Sequence, residues 1–255
     1  YASQVQGFNG GVLNGVTMVS AGGLHSLALL ENGKVASWGD NTYGQLGTGE
    51  ALQLYPVQVV NSGGSALTGS AEVAAGTYHL LSKNLDETVA AWGRNVYGSL
   101  GDNTQTNRGA AVQTLQSVGT PLSGIVAVAA GSDFTLALTS GGKVWAWGKN
   151  NYGQLGSQDF TDSTLPVQVY CAYEDGGGNK LPLAGITAIA AGSAFAMALD
   201  SSGYIWTWGA NGYGQLGYDT SGASRNYADR MTAPINVEAI AAGSLHACLL
   251  YTSPS

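Results

Sequence analysis

Three histidines, His25, His79 and His246, are the side chains here best suited to move a proton or hold a metal near neutral pH. Each stands three residues after a glycine of an Ala-Gly pair, and in two further copies of that pair the same place holds Phe134 and Phe195. A slot that accepts a phenyl ring does not demand a base or a ligand, so these histidines read as packed rings. Glu50, Asp102, Asp159 and Asp219 follow successive Leu-Gly turns and could offer oxygens to a cation, but their spacing matches no calcium loop. Cys171 and Cys248 lack metal-ligand spacing and cannot build a disulfide framework; Cys248 falls where other copies have Leu27, Leu81, Leu136 and Met197, which makes it a core position. There is no Gly-x-Ser-x-Gly elbow, no Walker loop and no zinc signature. The sequence therefore predicts no catalytic residue, no cofactor and no metal.

Composition agrees with a folded, non-catalytic chain rich in turns. Of 255 residues, 44% are hydrophobic, 10% charged and 39 are glycine, about twice the usual glycine share. The net charge is -7 and the nine basic residues are scattered, so no stripe of them could track a phosphate backbone, and direct nucleic-acid binding is not expected. No apolar run approaches the roughly 18 residues of a membrane span, so no membrane insertion is expected either. The cell address stays open, with a lean toward the extracellular space or cell surface. The start Tyr1-Ala2-Ser3-Gln4 is neither an initiator methionine nor a signal peptide, as though cut from something longer.

What positions these residues is a repeat. An apolar-Ala/Ser-Ala-Gly element ends at Gly22, Gly76, Gly131, Gly192 and Gly243, spaced 54, 55, 61 and 51 residues apart. Trp38, Trp92, Trp147 and Trp208 each lie 16 residues after their own glycine and open Trp-Gly-x-Asn-x-Tyr-Gly-x-Leu-Gly. Between the two elements the chain alternates around Asn32-Gly33, which predicts two strands and a tight hairpin whose positive φ angles that pair supplies. Gly142 and Gly203 stand at the place of Gly33, but the second copy has Glu87, so its hairpin is expected to use a different turn and to be the least regular. A further strand, Pro56-Val57-Gln58-Val59, returns as Ala111-Val112-Gln113-Thr114, Pro166-Val167-Gln168-Val169 and Pro234-Ile235-Asn236-Val237, with proline pointing to a sheet edge. Four short antiparallel strands per repeat make a propeller blade.

The repeated Trp-Gly-x-Asn-x-Tyr-Gly-Gln-Leu-Gly, with Ala-Gly-x-x-His-Ser-Leu-Ala-Leu from Ala21 to Leu29, resembles the regulator-of-chromosome-condensation repeat family, in a bacterial-like form. The resemblance implies an all-β fold, a β-propeller of four-stranded antiparallel blades that in this family usually number seven. About four complete blades plus partial ones are expected here, an incomplete ring. The expected division is a single repeat domain over 1–255: a partial blade over 1–18 that begins with the strand Ala2-Ser3-Gln4-Val5, repeats starting near 19, 73, 128 and 189, and a partial one near 240. Residues 250–255 fit no position of the repeat and resemble translated linker sequence, so the chain reads as a fragment. Open edges then predict association in isolation.

The constant positions read as structural: the five glycines, the four tryptophans as inter-blade packing, and Asn41, Asn95, Asn150 and Asn211 as loop clamps. Together with Tyr43, Tyr97, Tyr152 and Tyr213 the asparagines could alternatively form a polar-aromatic rim. Individuality lies in Trp145 and Trp206, which replace Ala36 and Ala90 of the other copies, and in two long excursions. One, 170–182, carries Tyr173, Glu174 and Asp175; the other, 218–232, carries Arg225, Tyr227, Asp229 and Arg230. The eight candidate partner contacts are Trp145, Trp206, Tyr173, Glu174, Asp175, Arg225, Tyr227 and Arg230. The expected function is a non-catalytic scaffold that binds a protein or cell-surface partner through loops on a propeller face. The alternatives are a guanine-nucleotide exchange factor for a small GTPase, whose wedge and acidic face have no residue-by-residue match here, a secreted enzyme-inhibitor propeller, and a polysaccharide-cleaving enzyme with two converging carboxylates.

Overall fold

The computed structural model describes residues 3–8, 10–48, 52–233 and 236–251, and among them every regular element is a strand. The first blade is β1 (Val16–Ala21), β2 (His25–Leu30), β3 (Val35–Gly39) and β4 (Gln53–Gln58), hydrogen-bonded in that order. The second is β5 (Ser70–Ala75), β6 (His79–Asn84), β7 (Val89–Gly93) and β8 (Arg108–Gln113), followed by a small hairpin, β9 (Leu115–Ser117) and β10 (Thr120–Pro121). The third is β11 (Ile125–Ala130), β12 (Phe134–Thr139), β13 (Val144–Gly148) and β14 (Ser163–Gln168), followed by the hairpin β15 (Tyr170–Glu174) and β16 (Lys180–Pro182). The fourth is β17 (Ile186–Ala191), β18 (Phe195–Asp200), β19 (Ile205–Gly209) and β20 (Arg225–Arg230), and a further pair, β21 (Val237–Ala242) and β22 (Ala247–Tyr251), opens a fifth. This is the predicted β-propeller of antiparallel four-stranded blades.

A single blade cannot bury its own faces, so the core lies between blades. Leu27, Leu29 and Val35 of the first pack with Val73, Leu80 and Trp92 of the second, and Leu81 and Val89 pack in turn with Val128, Ala137 and Trp147. Second strands are therefore buried along nearly their whole length, while β4, β8, β14 and β20 on the rim are mixed. Each innermost strand carries an irregularity at the same step, Val16/Met18, Ser70/Glu72, Ile125/Ala127, Ile186/Ala188 and Val237/Ala239. At the near end Val19 is 70% exposed, whereas its counterparts Val73 and Val128 are 4% and 6% exposed, because a neighbouring blade covers only the latter two.

Six expectations change. The hairpin turn needs one positive φ rather than two: Gly33 N–H donates to the Leu30 carbonyl and Leu30 N–H to the Lys34 carbonyl, a four-residue turn closed by a single left-handed residue. The second blade keeps the same turn despite lacking glycine. Glu87 adopts φ 63° and makes the equivalent bonds to Asn84, helped by Asp86, whose carboxylate accepts from both the N–H and the hydroxyl of Thr88. The outer strand of the fourth blade is Arg225–Arg230, not Pro234–Val237. Arg230 pairs with Trp206 as Gln168 pairs with Trp145, while Val237 begins the next innermost strand and Pro234 and Ile235 lie outside the described residues.

The excursion 170–182 is likewise a hairpin rather than a loop, and β15 adds in parallel to β20 through Cys171 and Ala228. Shorter linkers repeat the scheme: as Leu183 N–H donates to the Val169 carbonyl across this excursion, Leu67 and Leu122 donate to the carbonyls of Val59 and Thr114, and Leu13 to that of Val5. Gln4 and Val5, expected as part of a strand, accordingly join such a linker and no sheet. Finally, Leu250 and Tyr251 continue the repeat's pairing, opposite Ala239 and Val237; 252–255 lie outside the described residues. A left-handed non-glycine costs about 1 kcal/mol. Glu87→Gly is therefore expected to raise the thermal midpoint by a few degrees, read by circular dichroism, and a fall would show that the turn is not strained.

Candidate interaction surface

The constant residues are spent on joining blades. A Cβ on Gly22 would stand 2.1 Å from His25 Cε1 and 2.4 Å from the Gly76 carbonyl oxygen; on Gly131 it would stand 2.0 Å from Phe134 Cε1 and 2.8 Å from the Gly192 oxygen. The glycine thus makes room at once for the ring three residues on and for the next blade. Around the axis these glycines line a cavity of about 440 Å³ together with Thr77, Ser132, Ser193 and Ser244. Its wall is laced from blade to blade: Ser132 Oγ lies 2.9 Å from Thr77 Oγ1 and 2.8 Å from Ser193 Oγ, and the Ser132 and Ser193 N–H groups donate to the carbonyls of Ser193 and Ser244.

The tryptophans do the same farther out. Trp92, Trp147 and Trp208 are fully buried, and their indole N–H groups donate to the carbonyls of Gln45, Ser99 and Gln154 in the preceding blade at 3.0, 2.9 and 2.9 Å. Burying such a ring is worth about 4–6 kcal/mol of transfer free energy, and the hydrogen bond fixes its place. The asparagines clamp the following loop: Oδ1 of Asn41, Asn95, Asn150 and Asn211 accepts from the N–H of Leu46, Leu100, Leu155 and Leu216. Asn95 and Asn150 also donate to Asp102 and Asp159, and Asp219 accepts from Ser221 N–H. Those carboxylates serve the loops, Glu50 lies outside the described residues, and among the described residues no group of three His, Cys, Asp or Glu is arranged to hold a metal.

His25 and His79 occupy the ring slot, buried, and His79 Nε2 lies 2.9 Å from Thr135 Oγ1. Burial pushes them down to about 4 and about 3 respectively.

The candidate partner contacts fall into distinct places. The docking of β15–β16 on β20 brings Tyr173, Glu174, Trp206, Tyr227 and Arg230 together. The Arg230 guanidinium lies 4.4 Å from the Tyr204 ring centroid and 5.7 Å from that of Tyr173, and Tyr173 stands edge-on to Trp206 at 5.4 Å. Lys180 bridges the hairpin to β20, with its ammonium 3.0 Å from Glu174 and 4.4 Å from the Tyr227 ring. Arg230 is exposed, and no ion pair engages it among the described residues.

Four of the eight residues lie outside the exposed face of this cluster. Trp206 is 6% exposed, covered by Tyr173 and donating its N–H to Asp200, so it supports the patch from beneath. Asp175 turns its carboxylate inward to the N–H groups of Gly177 and Asn179. Arg225 begins β20 opposite Gly209, at the other end of that strand from Arg230. Trp145, half-buried, packs against the second inter-blade core.

A second cluster went unnoticed in the sequence. Arg94 donates to Asp133 at 2.7 Å, and its guanidinium lies 5.3, 5.2 and 5.5 Å from the ring centroids of Tyr43, Tyr78 and Tyr97; Lys149 sits 4.5 Å from Tyr97. Tyr43 and Tyr97 thus do form an aromatic rim with charge, while Tyr152 and Tyr213 stand exposed. The available signal was that Tyr78, Arg94, Asp133 and Lys149 fill variable places inside otherwise constant motifs.

Two outcomes are expected. Because the folded-state histidines titrate below the ordinary 6.5, the stability they contribute is complete above that pH and is lost as pH falls toward about 4 and then about 3. His25→Phe, which removes two buried nitrogens that lack partners, should gain about 1 kcal/mol near neutrality and flatten the decline between about pH 7 and pH 5 in thermal melts. Gly76→Ala, by contrast, should cost about 3 kcal/mol, since its Cβ would sit 2.4 Å from the Gly131 oxygen; a melt unchanged from the parent would contradict that account.

The family model for the RCC1-like domain matches residues 2–253. Human probable E3 ubiquitin-protein ligase HERC6 is 33% identical over 213 residues, covering 82% of this chain and 20% of that protein. Human WBSCR16 is similar in structure, with a TM-score of 0.78 and 24% identity over 98% of this chain and 60% of that one. Prp20p from Saccharomyces cerevisiae, a protein with binding properties toward Gsp1p and histones, superposes with a TM-score of 0.69 and 20% identity, over 93% of this chain and 56% of that one. The chain spans 20% to 43% of the length of the curated relatives it matches first. With the glycine, tryptophan and asparagine positions arranged as above, the chain belongs to the family of the RCC1-like domain.

Proposed function

We propose that this chain is a non-catalytic interaction module that binds a protein partner, and that the patch of Tyr173, Tyr204, Tyr227, Lys180 and Arg230 is its contact surface. The observation that carries the reading is Arg230: an exposed guanidinium stacked on two tyrosines, at a place where the other blades have Gln58, Gln113 and Gln168. Those glutamines turn inward and donate to the carbonyls of Val35, Val89 and Val144. Arginine and tyrosine held rigid by neighbours are the residues that dominate protein interfaces, because they offer area and directed donors at small entropic cost. The linker hairpin β15–β16 is longer than β9–β10 and carries Tyr173 onto Trp206, so the patch distinguishes this molecule from the repeat that built it.

Ligase activity named for a relative of which this chain covers a fifth is not part of the proposal. Exchange-factor activity remains an outcome of the test. Immobilised chain is exposed to a proteome from its source, and captured proteins are quantified for the parent, for the paired variant Tyr173→Ala with Arg230→Ala, and for Tyr55→Ala, exposed on β4 of the first blade, as a remote control. The expected result is a discrete partner lost at least about tenfold in the paired variant and kept in the control. Equal capture by all three would move the contact surface elsewhere, and capture of a small GTPase insensitive to the paired variant would favour the exchange-factor reading.

A further inference from the structure

At the end of each third strand one position changes its charge from blade to blade. Between Trp-Gly and the clamping asparagine stand Asp40, Arg94, Lys149 and Ala210. Each N–H donates to the carbonyl of the residue before the ring slot of its own blade, Leu24, Tyr78, Asp133 and Ala194 in turn, at 2.9–3.0 Å. The two positions therefore lie side by side in every blade, and the lacing of Ser132 to Ser193 holds the fourth blade at a fixed distance from the third.

The second blade shows what these positions build when complete. Arg94 has the ring of Tyr43 from the preceding blade at 5.3 Å, that of its own Tyr97 at 5.5 Å, and the carboxylate of Asp133 from the following blade at 2.7 Å. The third blade repeats the cation and its rings. Lys149 has the ring of Tyr97 from the preceding blade at 4.5 Å, and its own Tyr152, in the place of Tyr97, is 46% exposed. The acid is missing, because Ala194 holds the place of Asp133 in the following blade. No ion pair engages the Lys149 ammonium among the described residues. Asp133, to whose carbonyl Lys149 is bonded, turns its carboxylate to Arg94, and Asp159 of the following loop is taken up by Asn150 and Ser157.

We infer that the gap beside Lys149 and over Ala194 is a binding site for the side-chain carboxylate of a glutamate or aspartate in an acidic segment of a partner protein. The incoming carboxylate pairs with the Lys149 ammonium as Asp133 pairs with Arg94, with Tyr97 and Tyr152 flanking it. A cation held over a ring is oriented before its partner arrives, and a pair formed there is stronger than one between free, fully hydrated side chains. The chain as a whole carries a net charge of -7, so its long-range field does not draw such a segment in and selection rests on this place. Lys149 follows the end of a third strand, whereas Trp206 beneath the Arg230 patch stands near the start of one. The site is thus separate from that patch and independent of the role given to it.

The chain contains five lysines, Lys34, Lys83, Lys143, Lys149 and Lys180, so carbon-13 labelling at lysine Cε gives each its own NMR signal. The probe is a hexaglutamate peptide blocked at both ends, with hexaglutamine as its neutral counterpart. Hexaglutamate should shift the Lys149 signal saturably, with half-saturation at about 1 mM, while the exposed Lys143 moves little. Ala194→Asp supplies the acid from within: it should move the Lys149 signal without peptide and weaken hexaglutamate binding about tenfold or more. Lys149→Met keeps the stem over Tyr97 and removes the charge, so it should abolish binding of fluorescent hexaglutamate read by anisotropy, whereas Lys149→Arg should retain it. No saturation up to about 10 mM, equal shifts at Lys143 and Lys149, an equal response to hexaglutamine, or unchanged binding in Lys149→Met would each overturn the inference.

Discussion

The contact on which everything else rests is the one made by an atom that is missing. At Gly22, Gly76, Gly131 and Gly192 the absent Cβ lets an aromatic ring from the same blade tuck beneath the chain. At Gly22, Gly76 and Gly131 it also lets a carbonyl of the next blade come close. Interiors are packed too densely to yield at such a point, so the approach of blade to blade is set here. Once it is set, the hydroxyl and amide lacing of Thr77, Ser132 and Ser193 falls into register around the axis, and Trp92, Trp147 and Trp208 reach the carbonyls that hold them farther out.

This division assigns His25 and His79 to packing between ring and glycine. His25 and His79 are filling for a space shaped by glycine, interchangeable in role with Phe134 and Phe195, and their burial keeps them neutral. The same logic assigns the carboxylates: Asp102 and Asp159 complete the asparagine clamps. What the repeat leaves unconstrained is the linker between blades, and the linker of thirteen-odd residues after the third blade is the one that grew into β15–β16 and carried Tyr173 over Trp206. Binding specificity in a repeat protein arises at such places because changes there do not disturb the inter-blade fit.

Much of the fold was legible because its constraints are periodic. The glycine-to-tryptophan offset, the asparagine clamp and the alternation of the second and third strands follow from the residues themselves. The misreadings came where a local pattern imitated or hid a repeat position. Pro234-Ile235-Asn236-Val237 looks like Pro166-Val167-Gln168-Val169, yet Val237 starts an innermost strand. Arg225–Arg230 has little apolar character because a rim strand needs only one buried side chain, and that is Ala228, in the place of Ala111 and Pro166. Glu87 hides its turn since the hydrogen bonds of the hairpin and the Asp86 carboxylate override the preference for glycine. The cover of Trp206 by Tyr173 has no local signature, and the variable places of Tyr78 and Arg94 mark individuality without showing that they meet, as both contacts join segments brought together only by the fold.

The central claim is that glycine and tryptophan positions weld the blades into one cooperative body whose loops are free to vary. Native-state hydrogen exchange resolved by strand measures it directly. The account predicts that β6, β7, β12 and β13 exchange together at the rate of global unfolding, with β1 and β22 exchanging faster because among the described residues each pairs with a single strand. Separate exchange rates for the second and third blades would mean that they unfold independently, and would contradict it.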